Sequence, residues 1–157
     1  MIVEKTPLEG LLLIKPNVHE DNRGYFYENY RDELFEENGL PTNFRQDNQT
    51  KSVKGTLRGL HYQLKYPQGK LVRVSLGMVY DVAVDIRKTS PTFSQYFGMN
   101  LTDKDHMQMY IPPGFAHGFC VLSDEAIFQY KCTEIYHPED EYGVRWDDSQ
   151  ININWSI

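Results

Sequence analysis

One short stretch of the chain brings together three side chains that could move a proton and hold an anion. The segment from Gly55 to Gln63 contains Arg58 and His61, and Lys70 follows a few residues later. A histidine titrates near neutrality and can act as a general base, while a guanidinium and an ammonium stabilise negative charge. This set of groups suits proton abstraction beside a carbonyl group in an anionic substrate.

Composition excludes several other kinds of protein. The chain has 157 residues, enough for one domain with a hydrophobic core, and a net charge of -6. That charge argues against non-specific binding to nucleic acid or a membrane surface, so affinity for an anion must come from a local basic pocket containing Arg23, Arg58 and Lys70. No signal pattern opens the chain and no window approaches the roughly 18 apolar residues of a membrane helix. We therefore expect a cytoplasmic protein.

The two cysteines give no sign of chemistry. Cys120 and Cys132 lie inside apolar, strand-like runs and lack CxxC spacing. Such cysteines are usually buried and reduced rather than paired or bound to metal. We expect two buried free thiols.

Hydrophobic patterning predicts an all-β fold. Short runs rich in Val, Ile, Tyr and Phe recur between turn signals, at Lys70–Leu76, Met78–Ile86, Tyr96–Leu101 and Ala126–Thr133. The convincing helical pattern covers Arg31–Asn38 and is closed by Gly39. Regularly spaced strands without alternating helices indicate a sandwich or barrel, and we predict one jelly-roll domain over residues 1–157 with one or two short peripheral helices.

Strand alternation indicates which polar side chains share a face. Gln46 and Asn48 fall on the same face as Phe44, which favours a wet cavity over a simple solvent face. Tyr130 falls on the apolar face of its strand, where a core position is the ordinary alternative to a role as general acid.

Gly59 decides whether Arg58 and His61 can share a site. Strict alternation would place these two side chains on opposite faces of the strand. A glycine inside a strand often marks a bulge, and one extra residue would turn both side chains to the same side. We hypothesise a bulge at Gly59.

The segment Ile111-Pro-Pro-Gly-Phe-Ala-His117 contains a Pro-x-Gly-x-x-His pattern, the second motif of the cupin barrels. The first cupin motif normally supplies a His-x-His pair, whereas this chain has His61-Tyr62-Gln63 in that region. Two isolated histidines rarely hold a metal, so we expect no metal site. A metal-dependent cupin dioxygenase or isomerase stays as a disfavoured alternative.

Several segments in order closely resemble the dTDP-4-dehydrorhamnose 3,5-epimerase family, whose members are metal-independent cupins. The resembling segments span nearly the whole chain: Asp21–Glu28, Gln46–Asn48, Gly55–Gln63, Gln68–Arg73, Asp81–Arg87, Ile111–Phe119 and Tyr130–Thr133. The resemblance implies a cupin-type jelly roll without cofactor that epimerises C3 and C5 of dTDP-4-dehydro-6-deoxy-D-glucose, giving dTDP-4-dehydro-β-L-rhamnose. An epimerase acting at C3 or C5 alone would use the same central residues and stays open.

The resemblance also implies roles for individual residues. His61 is implied as the base, Tyr130 as the acid on the opposite face and Lys70 as the stabiliser of the oxyanion. Arg23 and Arg58 are similar to residues that hold the diphosphate, and Tyr136 to the aromatic residue stacked on thymine. Further positions similar to substrate contacts are Glu28, Gln46, Asp47, Asn48, His117 and Glu141. Each has an ordinary alternative, such as a surface ion pair for Arg23 and Glu28.

The resemblance also implies a dimer in which the two subunits exchange N-terminal strands. We expect a homodimer in which the β-prone region Met1–Lys15 and its apolar run Leu11–Ile14 pair across the subunit boundary. Arg23 and Glu28 could then act in the neighbouring subunit's site.

The resemblance weakens at the C-terminus, where the family continues with a Ser-x-Lys-Asp pattern whose aspartate pairs with the catalytic histidine. A truncated chain, a variant that recruits Asp81 or Asp85, and a sugar-nucleotide-binding cupin without turnover would each account for this difference. Asp81 is the first acid to test as the partner of His61.

Overall fold

Apolar runs and turn signals give thirteen strands and two short helices in the computed structural model, which describes residues 1–155. The strands are β1 (Ile2–Lys5), β2 (Leu12–Lys15), β3 (His19–Asp21), β4 (Gly24–Phe26), β5 (Gln46–Val53), β6 (Leu57–Gln63), β7 (Lys70–Leu76), β8 (Met78–Asp85), β9 (Tyr96–Thr102), β10 (Gln108–Ile111), β11 (Phe115–Val121), β12 (Glu125–Cys132) and β13 (Glu141–Gly143). The helices are α1 (Asp32–Glu37) and a single 3₁₀ turn (Pro138–Asp140).

The strands form two large antiparallel sheets and one hairpin. The six-stranded sheet has the order β1-β2-β10-β7-β12-β5, and the five-stranded sheet has the order β13-β6-β11-β8-β9. Strands β3 and β4 form the separate hairpin. The predicted all-β jelly-roll class is confirmed.

The main core lies between the two sheets. Val72 and Phe128 of the six-stranded sheet pack with Val79 and Phe119 of the five-stranded sheet in one buried cluster. A second cluster on the other face of the five-stranded sheet contains Trp155 of the C-terminal segment. Strand β11 is therefore buried along its whole length, which explains why its sequence is apolar on both faces.

The predicted element bounds hold to within one or two residues. The strand predicted at Lys70–Leu76 has those bounds, whereas the predicted helix Arg31–Asn38 is shorter by one residue at each end. The helix packs through Phe35 against the six-stranded sheet. Both cysteines are buried and free, as expected. Within residues 1–155, no helix is long and apolar enough to cross a membrane.

The N-terminal apolar run is buried within its own chain. Leu11 and Ile14 are almost completely buried, and β2 pairs with both β1 and β10. The predicted homodimer with exchanged N-terminal strands stays a prediction. Within this chain, β2 has strands of the same chain on both sides, and the six-stranded sheet covers Leu11 and Ile14. Strand β1 lies at the edge of that sheet.

Candidate active site

A polar cleft opens where the two sheets diverge. It has a volume of about 400 Å³ and is walled by strands of both sheets. The residues that line it are Gln46, Asn48, Gln49, Thr50, His61, Tyr62, Gln63, Gln68, Lys70, Tyr130, Tyr136 and Glu141. A second space of about 460 Å³ adds Arg58 and His117 and shares Thr50, His61, Lys70 and Tyr130 with the first, so the two spaces are continuous.

A bulge in β6 places Arg58 and His61 in the same cleft. His61 lies opposite His117 on β11 and Arg58 lies opposite Phe119, so three residues on β6 span the length of two on β11. Gly59 makes this possible: its φ is +111°, and a Cβ there would lie 2.5 Å from the carbonyl oxygen of His117. The hypothesised bulge is confirmed, and both side chains line the continuous space.

His61 stands half-exposed at the centre of the cleft. Its side chain is 53% exposed, and its Nδ1 lies 3.5 Å from Oε1 of Glu141 on β13. Burial lowers the pKa of His61, the Glu141 carboxylate opposes that effect, and Lys70 and His117 lower the pKa further. The net lowering favours the neutral imidazole, the form that can accept a proton.

Lys70 and Tyr130 face His61 from the six-stranded sheet. Lys70 lies opposite Cys132 on β12, and its Nζ is 5.8 Å from the centre of the Tyr130 ring. Burial lowers the pKa of Lys70, while Cys132, Asp81 and Glu141 favour its charged form. Burial also raises the pKa of Tyr130, so its hydroxyl stays protonated at neutral pH and can donate.

Amide side chains form the wall beside these three residues. Gln46 donates from Nε2 to Oδ1 of Asn48 at 3.1 Å, and Oε1 of Gln46 accepts from the backbone N–H of Tyr136 at 2.7 Å. The predicted wet face of β5 therefore does line a cavity. Among residues 1–155, no group of three His, Cys, Asp or Glu side chains is placed to hold a metal ion.

Comparison with known proteins finds the family that the sequence motifs resemble, and the match spans nearly the whole chain. Residues 5–157 match the family model described as dTDP-4-dehydrorhamnose 3,5-epimerase. A protein of that name from Methanothermobacter thermautotrophicus is 53% identical over 98% of this chain and 83% of its own length. The chain belongs to the dTDP-4-dehydrorhamnose 3,5-epimerase family.

Two solved structures show how closely this epimerase-family chain follows its relatives. A dTDP-6-deoxy-D-glucose-3,5-epimerase from Legionella pneumophila, in complex with dTDP-4-keto-L-rhamnose, has a TM-score of 0.96 and 49% identity, covering 98% of this chain and 82% of that one. A 3′-monoepimerase from Streptomyces bikiniensis, in complex with dTDP-quinovose, has a TM-score of 0.90 and 32% identity, covering 96% and 77%.

Three of the residues implied by the resemblance to the epimerase family lie outside the cleft. Arg23 is in the β3–β4 turn, 86% exposed and paired with Asp21. Glu28 pairs with Arg31 at 3.3 Å, and Asp47 pairs with Lys131 at 2.7 Å on the outer face of the sheet. Within the described chain, these residues do not meet His61.

The acids considered as partners of His61 are engaged elsewhere. Asp81 is completely buried, and both of its oxygens lie 3.0 Å from Nε2 of His117. Asp85 accepts hydrogen bonds from Arg87, Ser90 and Thr92. The idea that either acid is recruited to His61 is therefore wrong, because Asp81 is bound to His117 and Asp85 to the corner after β8. The acid nearest His61 is Glu141, which the pairing of β13 with β6 brings there.

Sequence reasoning missed Gln63, which organises the rim of the cleft. It is buried, its Nε2 donates to the carbonyl oxygens of Tyr66 and Ile135, and its Oε1 accepts from the N–H of His137. Gln63 lies two residues after His61 on β6, and this spacing places both side chains on the same face of the strand, which could have identified Gln63 from the sequence. Gln63 joins the two loops that border the cleft.

Proposed function

We propose that this protein epimerises C3 and C5 of dTDP-4-dehydro-6-deoxy-D-glucose, forming dTDP-4-dehydro-β-L-rhamnose. The observation that carries the proposal is the arrangement of His61, Lys70 and Tyr130 around one polar cleft, in a chain about half identical to epimerases of this name.

The chemistry needs no redox step. The C4 ketone of the substrate lies between C3 and C5, so loss of the proton at either carbon gives an enolate whose charge rests on O4. In our proposal, neutral His61 removes the proton, and the Lys70 ammonium stabilises the developing oxyanion. Tyr130, protonated because burial raises its pKa, returns a proton to the opposite face.

Binding of the nucleotide is assigned to the surrounding residues. Arg58 can hold diphosphate oxygens with its planar guanidinium, and its Nε already donates to Ser52 at 3.0 Å, which fixes its direction. Tyr136 offers an exposed ring for the thymine, and Gln46, Asn48, His117 and Glu141 provide polar contacts nearby.

We further propose a cytoplasmic homodimer of one-domain subunits in which Arg23 and Glu28 reach the neighbouring subunit's cleft. The proposed role of Arg23 in the neighbouring subunit is supported by its position. Arg23 is exposed outside the cleft of its own chain, at the tip of a hairpin that also exposes Tyr25 and Phe26. The two free thiols suit a reducing compartment.

Solvent exchange tests the proposed reaction directly. The protein is incubated with dTDP-4-dehydro-6-deoxy-D-glucose in D2O, and loss of the C3 and C5 proton signals is followed by NMR. We expect loss at both carbons, reduced by roughly 100- to 10,000-fold in His61→Ala. Arg145→Ala, which alters an exposed guanidinium paired with Asp147, is the matched control and should exchange at the wild-type rate.

The same experiment separates the alternatives. Exchange at C3 alone would replace the proposal with a monoepimerase, the activity named for the Streptomyces bikiniensis structure. Binding of dTDP without exchange at either carbon would indicate a sugar-nucleotide-binding protein.

A further inference from the structure

The β3–β4 hairpin, which carries Arg23 at its turn, has little backbone attachment to the rest of the molecule. The residues of both strands are exposed. Within residues 1–155, β3 and β4 pair with each other and with no strand of either large sheet. A two-stranded hairpin is marginally stable in water by itself. The direction in which the hairpin points must therefore be set by side-chain contacts.

Two tyrosines of this segment contact one histidine of the β9–β10 loop. The ring centre of His106 lies 4.5 Å from that of Tyr25 and 4.7 Å from that of Tyr27, and the two tyrosine rings are 5.9 Å apart. His106 is buried, with 6% of its surface exposed. Flat rings at such separations attract one another beyond the area that they bury. The three rings therefore join the hairpin to the loop.

The β9–β10 loop holds His106 in a fixed place. The Thr102 hydroxyl accepts hydrogen bonds from the backbone N–H groups of Lys104 and Asp105, and the Asp105 carboxylate accepts one from the N–H of Met107 at 3.0 Å. His106 has a φ of +56°, a left-handed conformation that histidine adopts more readily than most residues. Strand β10 begins two residues later, between β2 and β7. The imidazole is thus held by the six-stranded sheet.

The start of β10 also fixes the chain that follows the hairpin. Gln108 is 1% exposed, and its Nε2 donates to the carbonyl oxygen of Asn29 at 2.9 Å. Asn29 comes directly after Glu28. His106 and Gln108 therefore hold the hairpin and the end of the segment that carries both residues found outside the cleft.

We propose that His106 is a positioning residue for Arg23. Its imidazole holds Tyr25 and Tyr27, and the docked hairpin then directs the Arg23 guanidinium towards the diphosphate in the neighbouring subunit's cleft. The inference rests on the proposed function, in which Arg23 serves that cleft. His106 acts through Arg23 and does not itself contact the sugar nucleotide.

The first test follows the hairpin without any substrate. His106→Asn removes the ring but keeps a residue type that tolerates a positive φ. Amide hydrogen exchange of β3 and β4 should become about tenfold faster, while that of β8 and β11 should not change. Lys104→Asn, in the same loop and 89% exposed, is the matched control and should match the wild type. Unchanged protection of the hairpin in His106→Asn overturns the inference.

A second pair of variants approaches the contact from the tyrosine side. Tyr27→Leu removes a ring and should speed amide exchange of the hairpin, whereas Tyr27→Phe keeps the ring and should not. The double variant with Tyr27→Leu and His106→Asn should exchange no faster than His106→Asn alone, because both changes break one contact. Equal effects of Tyr27→Phe and Tyr27→Leu would assign the contact to the hydroxyl and overturn the role of ring stacking.

The third test measures binding of dTDP by calorimetry. In His106→Asn the Kd should rise several-fold, and by no more than hairpin opening increases, because only the docked hairpin presents Arg23. Adding His106→Asn to Arg23→Ala should weaken binding no further. A loosened hairpin with an unchanged Kd would leave His106 a structural role only and overturn the inference.

Turnover separates this inference from the proposed function. In His106→Asn the KM for dTDP-4-dehydro-6-deoxy-D-glucose should rise, while the saturated exchange rate at C3 and C5 stays near the wild-type value because bound substrate selects the docked hairpin. A fall in the saturated rate with KM unchanged would contradict the positioning of Arg23. A wild-type protein that shows the expected dependence of dTDP binding on His106 but no exchange at either carbon would overturn the proposed function alone.

Discussion

At the scale of single residues, Lys70 is a buried cation that destabilises the fold but suits the proposed reaction. Its ammonium lies in a cavity wall, where burial lowers its pKa, and no carboxylate of residues 1–155 lies within ion-pair distance of it. A charge that is poorly solvated before reaction is available to stabilise an oxyanion as it forms. We therefore expect Lys70 to weaken the fold slightly while promoting the reaction.

Lys70→Met tests both halves of that expectation. The exchange rate at C3 and C5 should fall about 100- to 1,000-fold, and the free energy of unfolding should stay the same or increase because a buried charge is removed.

The lowered pKa of Lys70 also predicts a pH dependence of stability. The unfolded chain binds the Lys70 proton more tightly than the folded chain does, so the free energy of unfolding of the wild type should rise as the pH increases towards the ordinary pKa of 10.5. Lys70→Met should lack this rise.

Urea unfolding as a function of pH measures the stability, and NMR measures the exchange. Lys104→Met removes a lysine that is 89% exposed and is the matched control. An undiminished exchange rate in Lys70→Met would remove Lys70 from the mechanism.

At the scale of elements, the bulge in β6 positions the site. Without it, strict alternation would turn Arg58 away from the face that carries His61. Gly59 is required for this geometry because its φ is positive and its Cα lies against the β11 backbone. A single residue without a side chain therefore sets the direction of two functional ones.

Gly59→Ala should destabilise the protein by about 2–5 kcal/mol, through backbone strain and collision of the new Cβ with the His117 carbonyl oxygen. Gly55→Ala is the matched control, since Gly55 also has a positive φ, +78°, but open space around it. We expect it to cost only about 1 kcal/mol. Equal losses in thermal or urea unfolding would show that crowding against β11 is unimportant.

The corner after β8 depends on a second buried carboxylate. Burial acts against the charged form of Asp85, but hydrogen bonds from Arg87, Ser90 and Thr92 more than offset it and hold the pKa well below the ordinary 3.8. Asp85→Asn should therefore lower the free energy of unfolding by about 3 kcal/mol at pH 7.

That difference should shrink as the pH falls below the ordinary pKa, because the wild-type carboxylate then loses its advantage on protonation. Urea unfolding at pH 7, 4 and 3 measures it. Asp147→Asn, which alters an exposed pair with Arg145, should change stability little at any of these pH values. A pH-independent loss in Asp85→Asn would mean that the charge of Asp85 contributes nothing.

At the scale of the whole molecule, two residues that the family resemblance implies as substrate contacts lie outside the cleft. Arg23 is in the β3–β4 hairpin and Glu28 follows it, while His61, Lys70 and Tyr130 line the cleft. The proposed homodimer would bring the two groups together across subunits.

Mixing two inactive variants tests this arrangement. If each site takes His61 from one subunit and Arg23 from its partner, His61→Ala and Arg23→Ala should each be nearly inactive alone. After dissociation and reassociation at equal amounts, about a quarter of the sites would be intact, so about a quarter of wild-type exchange should return. No recovery, with native mass spectrometry showing mixed dimers, would place Arg23 in the site of its own chain or outside any site.

Much of the fold could be predicted because strand patterning is local. The bounds of β7, the short helix and the burial of both cysteines follow from alternation, turn residues and apolar runs. The wet face of β5 also followed, since amides at Gln46 and Asn48 have little reason to face a dry core. The family could be predicted because several segments of the chain resemble family segments in the same order.

What the sequence determined by itself was therefore the all-β class, the family and the central groups His61, Lys70 and Tyr130. Only the tertiary structure decided which acid lies beside which histidine. Asp81 belongs to His117 and Glu141 lies beside His61, because strand order and the register of β13 on β6 bring together residues far apart in the chain. Local periodicity shows the face on which a side chain lies, but its partner depends on how distant strands pair.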